Sequence, residues 1–397
     1  MQLLFTEEYC RPERLFPFTA TRPIQDLRIG ILTIREKWEL LLNCTSSDKT
    51  SDYYKDHSGS VTISPDMPYA DALLIHGNVI PTPALAKAVL SLVPGQGLSL
   101  TGYGGFAFRF NAAFITGKHS FRVAELKEFT EENPNVLEHP RQLFEWNDRC
   151  IRNDFSLLSS NRISAVPDAS NRITTPENIF MEEGAVVLHS ILNASTGPIY
   201  IGKNAQVMEG CLIRGPFALG EGAVLKMGTR VYGATTIGPY CTGGGEIKNS
   251  IMMGYSNKAH DGYLGDSVIG HWCNLGAGTS NSNLKNNTSP VKLWNHPGAE
   301  ADLAGSMKCG LMMGDYARAA INTSFNTGTV VGVGANVFGG DALTPKFIPS
   351  FAWGSEGIER YRFDKFLEDI KGWKAFKGKK LGEHEVNILK HIFDKEP

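Results

Sequence analysis

The sequence predicts two architectures in one chain, an α/β unit followed by a parallel β-helix, closed by a helical extension. Three observations carry this. Up to about residue 165, Pro-rich loops separate helical stretches from short apolar strands, the alternation of an α/β unit. After Thr175, apolar–Gly–x–x–small units start at Ile201, Leu219 and Ile237, eighteen residues apart, and again at Met313 and Val331. From Ser355 onward the glycine pattern stops and apolar residues fall every three to five positions, the spacing of one helix face.

Within residues 1–165 the helical stretches are Arg35–Asn43, Pro83–Ser91 and Pro140–Asn153, and Asp71–Ile75 is a strand. Ser46–Gly59, rich in Ser, Asp and Lys, reads as a polar surface loop. Between 175 and 345 the eighteen-residue phase is three times six. One inward aliphatic residue and one corner glycine per hexapeptide make one flat side of a triangular coil, and three sides close it. Each coil buries its apolar edge only against its neighbours. A single match in a glycine-rich chain is chance; five at eighteen-residue spacing, three in one run and two in another, are not. In 355–397, Ile358, Tyr361, Phe366, Ile370, Trp373 and Phe376 mark an amphipathic C-terminal helix that docks on its own subunit or a neighbour.

Composition narrows the function. Glycine supplies 42 of 397 residues, above the usual ~7%, and it is concentrated in the repeat region. Charged residues number 39 basic against 41 acidic, which gives no electrostatic footprint for nucleic acid or an anionic membrane. The start, MQLLFTEEYC, lacks the basic region of a signal peptide, and no long uninterrupted apolar run occurs. Seven scattered cysteines without a CxxC pair favour a reducing compartment over a disulfide framework or zinc knuckle. A soluble, cytoplasmic protein is expected.

The repeats are interrupted by GGGEIKNS, which contains Lys248, then by NKAHDGYLGDSVIG (257–270) and NLGAGTSNSNL (274–284). Here the chain resembles the left-handed β-helix acetyltransferase domain of the bifunctional N-acetylglucosamine-1-phosphate uridyltransferase/glucosamine-1-phosphate acetyltransferase family, most closely its archaeal form. The resemblance runs from about Met227 to Asn283, and more loosely to Gly340. It implies a left-handed coil, an amino-sugar phosphate substrate, acetyl-CoA and a homotrimer with its site between subunits. The chain departs from the family at Ala259, where the family has glycine, and one residue of the archaeal KAPH string is absent.

Acetyl transfer to an amine needs a base for the ammonium proton and cations for the sugar phosphate. His260 is the candidate base, because an imidazole exchanges protons near neutrality. Arg230 and Lys248 lie eighteen apart, which predicts one stacked above the other on a shared phosphate, Arg as a fork and Lys as a point charge. The resemblance implies that Tyr263 and Asn274 contact the sugar and its N-acyl group. It also implies that Ala277, Asn283 and Leu284 lie on the coenzyme A side. GLMMGDYARAAINTSFNTGTVVG, similar to the family's last coils, brings in Ile321 and Gly339 as further acetyl-CoA contacts.

Arg14-Leu15-Phe16-Pro17-Phe18-Thr19 followed by Thr21-Arg22-Pro23 resembles a segment of sugar-1-phosphate nucleotidyltransferases. The glycine loop that precedes it there, which cradles nucleotide phosphates, is replaced by LLFTEEYCRPE, and the metal-binding Gly-Asp by Gly77-Asn78. This implies a reduced nucleotidyltransferase-like domain, with Mg²⁺ required only if it is active. Arg14, Arg22, Arg28, Arg35 and Lys37 are candidate nucleotide-phosphate ligands or a solvated basic face. Three readings compete with acyl transfer alone. One adds transfer of a nucleotidyl group by the first domain. Another is a non-catalytic trimeric scaffold that binds a sugar nucleotide. The third, a carbonic anhydrase on the same coil, needs three histidines on zinc, whereas only His260 and His271 fall close together.

Overall fold

The computed structural model describes residues 1–49, 60–61, 71–117, 120–130, 135–293, 306–339, 343–356 and 359–395. They form two compact units. One is Met1–Pro12, Arg22–Leu27 and Leu32–Glu138; the other is Glu13–Thr21, Arg28–Ile31 and His139–Pro397.

The first unit is built on a seven-stranded mixed sheet. Its strands run, edge to edge, Ser60–Val61, Ser46–Lys49, Gln2–Thr6, Ala72–His76, Gly104–Phe110, Gln96–Leu100 and Glu125–Phe129. The central Gln2–Thr6 and Ala72–His76 pair in parallel, and Leu3, Leu4, Phe5 and Leu73 to Ile75 are buried. A near-continuous apolar run is what a strand covered on both faces requires. Helix Ile34–Leu42 begins at Thr33, whose side chain and Glu36 form a reciprocal capping box. Ser46–Lys49, part of the expected polar loop, is instead a strand paired with Gln2–Thr6; residues 50–59 of that loop lie outside the described ones.

The second unit is a parallel β-helix. Each coil contributes a strand to a first, second and third face, in sheets of six, nine and ten strands. Down the second face, Ile201, Leu219, Ile237, Met252, Ile269 and Met313 pair rung by rung. These residues are all buried in one core with their counterparts on the other two faces. The strands extend from Arg172–Thr174 to Ala352–Trp353, past the 175–345 that the repeats mark. After Ser280–Asn281 the chain leaves the coil and returns at Met312–Met313, so one coil carries a long insertion.

Two helices, Arg141–Glu145 and Asn147–Ser159, which the sequence pattern assigns to the α/β domain, belong with the coil. Buried Asn147 explains this. Its amide donates to Ala234 O at 2.9 Å and Thr236 Oγ1 at 3.1 Å, while its Oδ1 accepts from Gly30 N–H at 2.7 Å. An amide with that many buried partners fixes its helix in one place.

The C-terminal extension is two helices, Phe363–Phe376 and Glu383–Lys395, not one. Phe366 and Ile370 are buried, and Phe366 packs edge-on against Phe351 of the last coil at 5.1 Å. Phe376 is 84% exposed, so the apolar stripe ends before it; Ile358 is outside the described residues. No disulfide joins any of the seven cysteines, and no described helix is long and apolar enough to cross a membrane.

Candidate functional site

On the first face, strands Arg230–Tyr232, Glu246–Lys248 and Tyr263–Gly265 lie side by side. Val231, Ile247 and Leu264 point into the core, so by strand alternation their neighbours point out. The register pairs Arg230 with Glu246 and Tyr232 with Lys248. Arg230 and Lys248 are therefore not stacked as the eighteen-residue spacing predicts. The coil between them is shorter than eighteen, and the two cations sit diagonally on adjacent rungs.

Each cation has a carboxylate. Arg230 lies 3.7 Å from Glu246, and Lys248 lies 3.3 Å from Asp266. Asp266 is buried, and its oxygens also accept from Asn249 Nδ2 at 2.7 Å and from Asn283 Nδ2. Asn283 Nδ2 reaches the Tyr263 hydroxyl at 3.0 Å as well. Burial pushes the Tyr263 phenol above its usual range, and nearby Asp266 adds to the effect. One buried carboxylate thus gathers Lys248, Asn283 and, through Asn283, Tyr263. Sequence reasoning assigns Asp266 no role, although it is the acid of the Gly265-Asp266-Ser267 string.

His260 sits at the corner between the third and first faces, exposed, after strand Asn257–Lys258 and before Tyr263–Gly265. Successive rungs meet closely there. A Cβ on Gly244 would lie 2.3 Å from Ala259 O, so only glycine fits above His260. Below it, Gly278 N–H donates to Asp261 O at 3.0 Å, and Asn322 N–H donates to Ala277 O at 2.7 Å. His260, Ala277 and Ile321 thus occupy consecutive rungs of one corner, and Ile321 is 69% exposed. The His260 imidazole has no hydrogen-bond partner among the described residues.

The structure brings Arg230, Lys248, Tyr263 and Asn283 together on one face, beside the corner that carries His260, Ala277 and Ile321. Two predicted residues stand apart. Asn274 lies on the third face, in a ladder between Asn257 and Arg318, across the corner from Tyr263. Leu284 is exposed at the start of the insertion. Gly339 continues the corner one rung beyond Ile321, because Arg318 pairs with Asn336; it is exposed, with a φ of 72° and open space where a Cβ would be.

Residues 3–163 match a family model described as sugar nucleotidyl transferase. The bifunctional protein GlmU of Methanocaldococcus jannaschii is 38% identical over 88 residues, 22% of this chain and 21% of that relative. A bifunctional sugar-1-phosphate nucleotidylyltransferase/acetyltransferase of Sulfurisphaera tokodaii is 36% identical over 95 residues, 24% and 23% of the two chains. Over these stretches the chain is similar to bifunctional GlmU-type proteins. It covers less than a quarter of the length of either of these GlmU-type relatives.

The sheet unit differs from what a GlmU-type nucleotidyltransferase half implies for Mg²⁺. Asn78, at the position of the metal-binding acid, is buried, and its Oδ1 accepts from Cys10 Sγ at 3.1 Å and Tyr103 Oη at 3.0 Å. Tyr103 Oη also lies 2.9 Å from His76 Nδ1. Glu8 pairs with Lys49, and Glu7 accepts from Ile24 N–H at 2.8 Å. Mg²⁺ requires octahedral oxygen ligands, carboxylates and phosphates above all. A neutral amide already holding two donors does not fit it. Among the described residues, no group of three His, Cys, Asp or Glu side chains is placed to hold a metal.

The basic residues predicted for a nucleotide are divided. Arg14 and Arg28 belong to the compact body of the coil, and Arg22, Arg35 and Lys37 to that of the sheet. Arg35 bonds Asp26, Ser46 and Asp48; burial alone would lower its pKa, but the two carboxylates hold it above the usual range. Lys37 is buried. Beside Asn78 the sheet unit has instead a cavity of about 660 Å³, walled by Tyr9, Leu74, His76, Phe108 and Phe121 among others.

Proposed function

We propose that the coil transfers an acetyl group from acetyl-CoA to the amine of an amino-sugar phosphate, with glucosamine-1-phosphate as best acceptor and His260 as general base. The observation that carries this is the corner column, in which His260 lies next to the Arg230–Lys248–Tyr263 face and above Ala277 and Ile321. As the acceptor nitrogen attacks the thioester carbonyl, the C–N bond forms and His260 takes the nitrogen's proton. The C–S bond then breaks and coenzyme A leaves. Arg230 and Lys248 exchange their carboxylates for the sugar phosphate, Tyr263 meets the sugar, and the pantetheine runs along the corner past Ala277, Asn283, Leu284, Ile321 and Gly339.

Asn274 meets the N-acyl group in this scheme. In this reading it does so for a neighbouring subunit's acceptor, and the working form proposed is a cytoplasmic homotrimer. The reaction belongs to UDP-N-acetylglucosamine formation. The test is free coenzyme A release from acetyl-CoA with glucosamine-1-phosphate, for wild type and His260→Ala. Turnover lowered at least ~10²-fold in the variant supports His260 as base; no wild-type turnover rejects the acceptor or the activity.

A second reading, nucleotidyl transfer to a sugar-1-phosphate by the sheet unit, is favoured by the family match over residues 3–163. It requires Mg²⁺-dependent pyrophosphate release from UTP or dTTP. The Asn78 contacts speak against it.

A further inference from the structure

The third face turns one residue of every strand into the core. Down that column stand Val207, Leu225, Gly243, Lys258, Leu275 and Ala319. All but the glycine and the lysine belong to the apolar core, and Lys258 is only 2% exposed. A lysine thus stands where the repeat calls for an aliphatic residue. Gly243 on the rung above is closely packed, since a Cβ there would come within 2.9 Å of Leu225. Its ammonium reaches the corner and donates to Gly244 O at 3.0 Å and to His260 O at 2.8 Å.

We propose that Lys258 is a positioning residue for His260, its buried ammonium tying the His260 carbonyl to that of Gly244 and fixing the corner from which the imidazole projects. This rests on the reading of His260 as base. Burying a charge in an apolar core is costly unless it is well bonded, so coil stability alone does not favour a lysine here. The compensation is local. Gly244 is pressed against Ala259 O, and the imidazole has no partner among the described residues to aim it. Its direction is therefore set by its backbone, and the backbone carbonyl of His260 is held by Lys258. Burial brings the lysine down to about 8, with Asp261 opposing and Arg230 adding to the effect, so the ammonium form persists at neutral pH.

Lys258→Met keeps the stem and removes the ammonium. In the full chain three quantities are read: thermal midpoint, kcat and KM for glucosamine-1-phosphate, and amide exchange across 259–263. The expected result is an unchanged or raised midpoint, kcat down at least about tenfold, KM within about twofold, and faster exchange at the corner. A midpoint that falls, or a variant that does not fold, overturns the proposal, because the ammonium would then be holding the coil. Unchanged kcat and unchanged exchange overturn it equally. Should wild type transfer no acetyl group, the reading of His260 fails on its own, and amide exchange still decides whether Lys258 fixes the corner.

Discussion

Each unit has a buried oxygen that collects hydrogen-bond donors, and the two differ in charge. In the coil, the Asp266 carboxylate takes Lys248, Asn249 and Asn283. In the sheet, the Asn78 amide oxygen takes a thiol and a phenol. The carboxylate holds a cation at the surface of the first face, where a phosphate can take it over. The amide closes a neutral network with no net charge to attract a metal or anchor a triphosphate. The coil thus presents cations paired with carboxylates, and the sheet unit a pocket walled by aromatic rings.

The largest effect that would sharpen this contrast is loss of the base. His260→Ala should lower kcat for coenzyme A release by at least ~10² with an unchanged circular dichroism spectrum, because the exposed ring supports no fold contact. Next comes Asp266→Asn, which makes the coil's collecting oxygen resemble Asn78. Releasing Lys248 and disordering Asn283 should raise KM for the sugar phosphate roughly tenfold and cost about 1–3 kcal/mol of stability, read by steady-state kinetics and urea unfolding. An unchanged KM would mean that Asp266 is only structural.

Smaller effects belong to the sheet unit and appear with pH. Burial brings His76 down to about 4, so between about 4 and 6.5 the folded state binds fewer protons than the unfolded one. Stability must fall as pH drops through that window. Glu7 acts oppositely: burial raises it to about 7, the folded state binds more protons between about 4.5 and 7, and stability falls as pH rises there. His76→Gln should remove the acid-side loss and Glu7→Gln the neutral-side loss, each checked by urea unfolding at several pH values. A pH profile unaltered in both variants would show that these groups are not buried in solution.

Much of the coil was legible because its inward residues repeat. Ile201, Leu219 and Ile237, and later Met313 and Val331, stand in one buried column, as their phase predicts. The relation between Arg230 and Lys248 was not legible, since a coil can shorten at a corner without disturbing the apolar pattern of its strands. Lys258 was hidden because the inward pattern is read from aliphatic residues, and a lysine at that place looks like a surface residue. Asp266 was hidden for another reason: its partners Lys248 and Asn283 are far apart in sequence, and only the rungs bring them together. In the sheet unit the replacement of an acid by Asn78 was plain, but Cys10 and Tyr103 as its partners could not be inferred from spacing.

The most direct measurement is coenzyme A release from acetyl-CoA and glucosamine-1-phosphate, for wild type and His260→Ala, each with and without EDTA. The account predicts wild-type turnover indifferent to EDTA and reduced at least ~10²-fold by the substitution. Turnover that survives the loss of His260, or that requires a divalent metal, would contradict it.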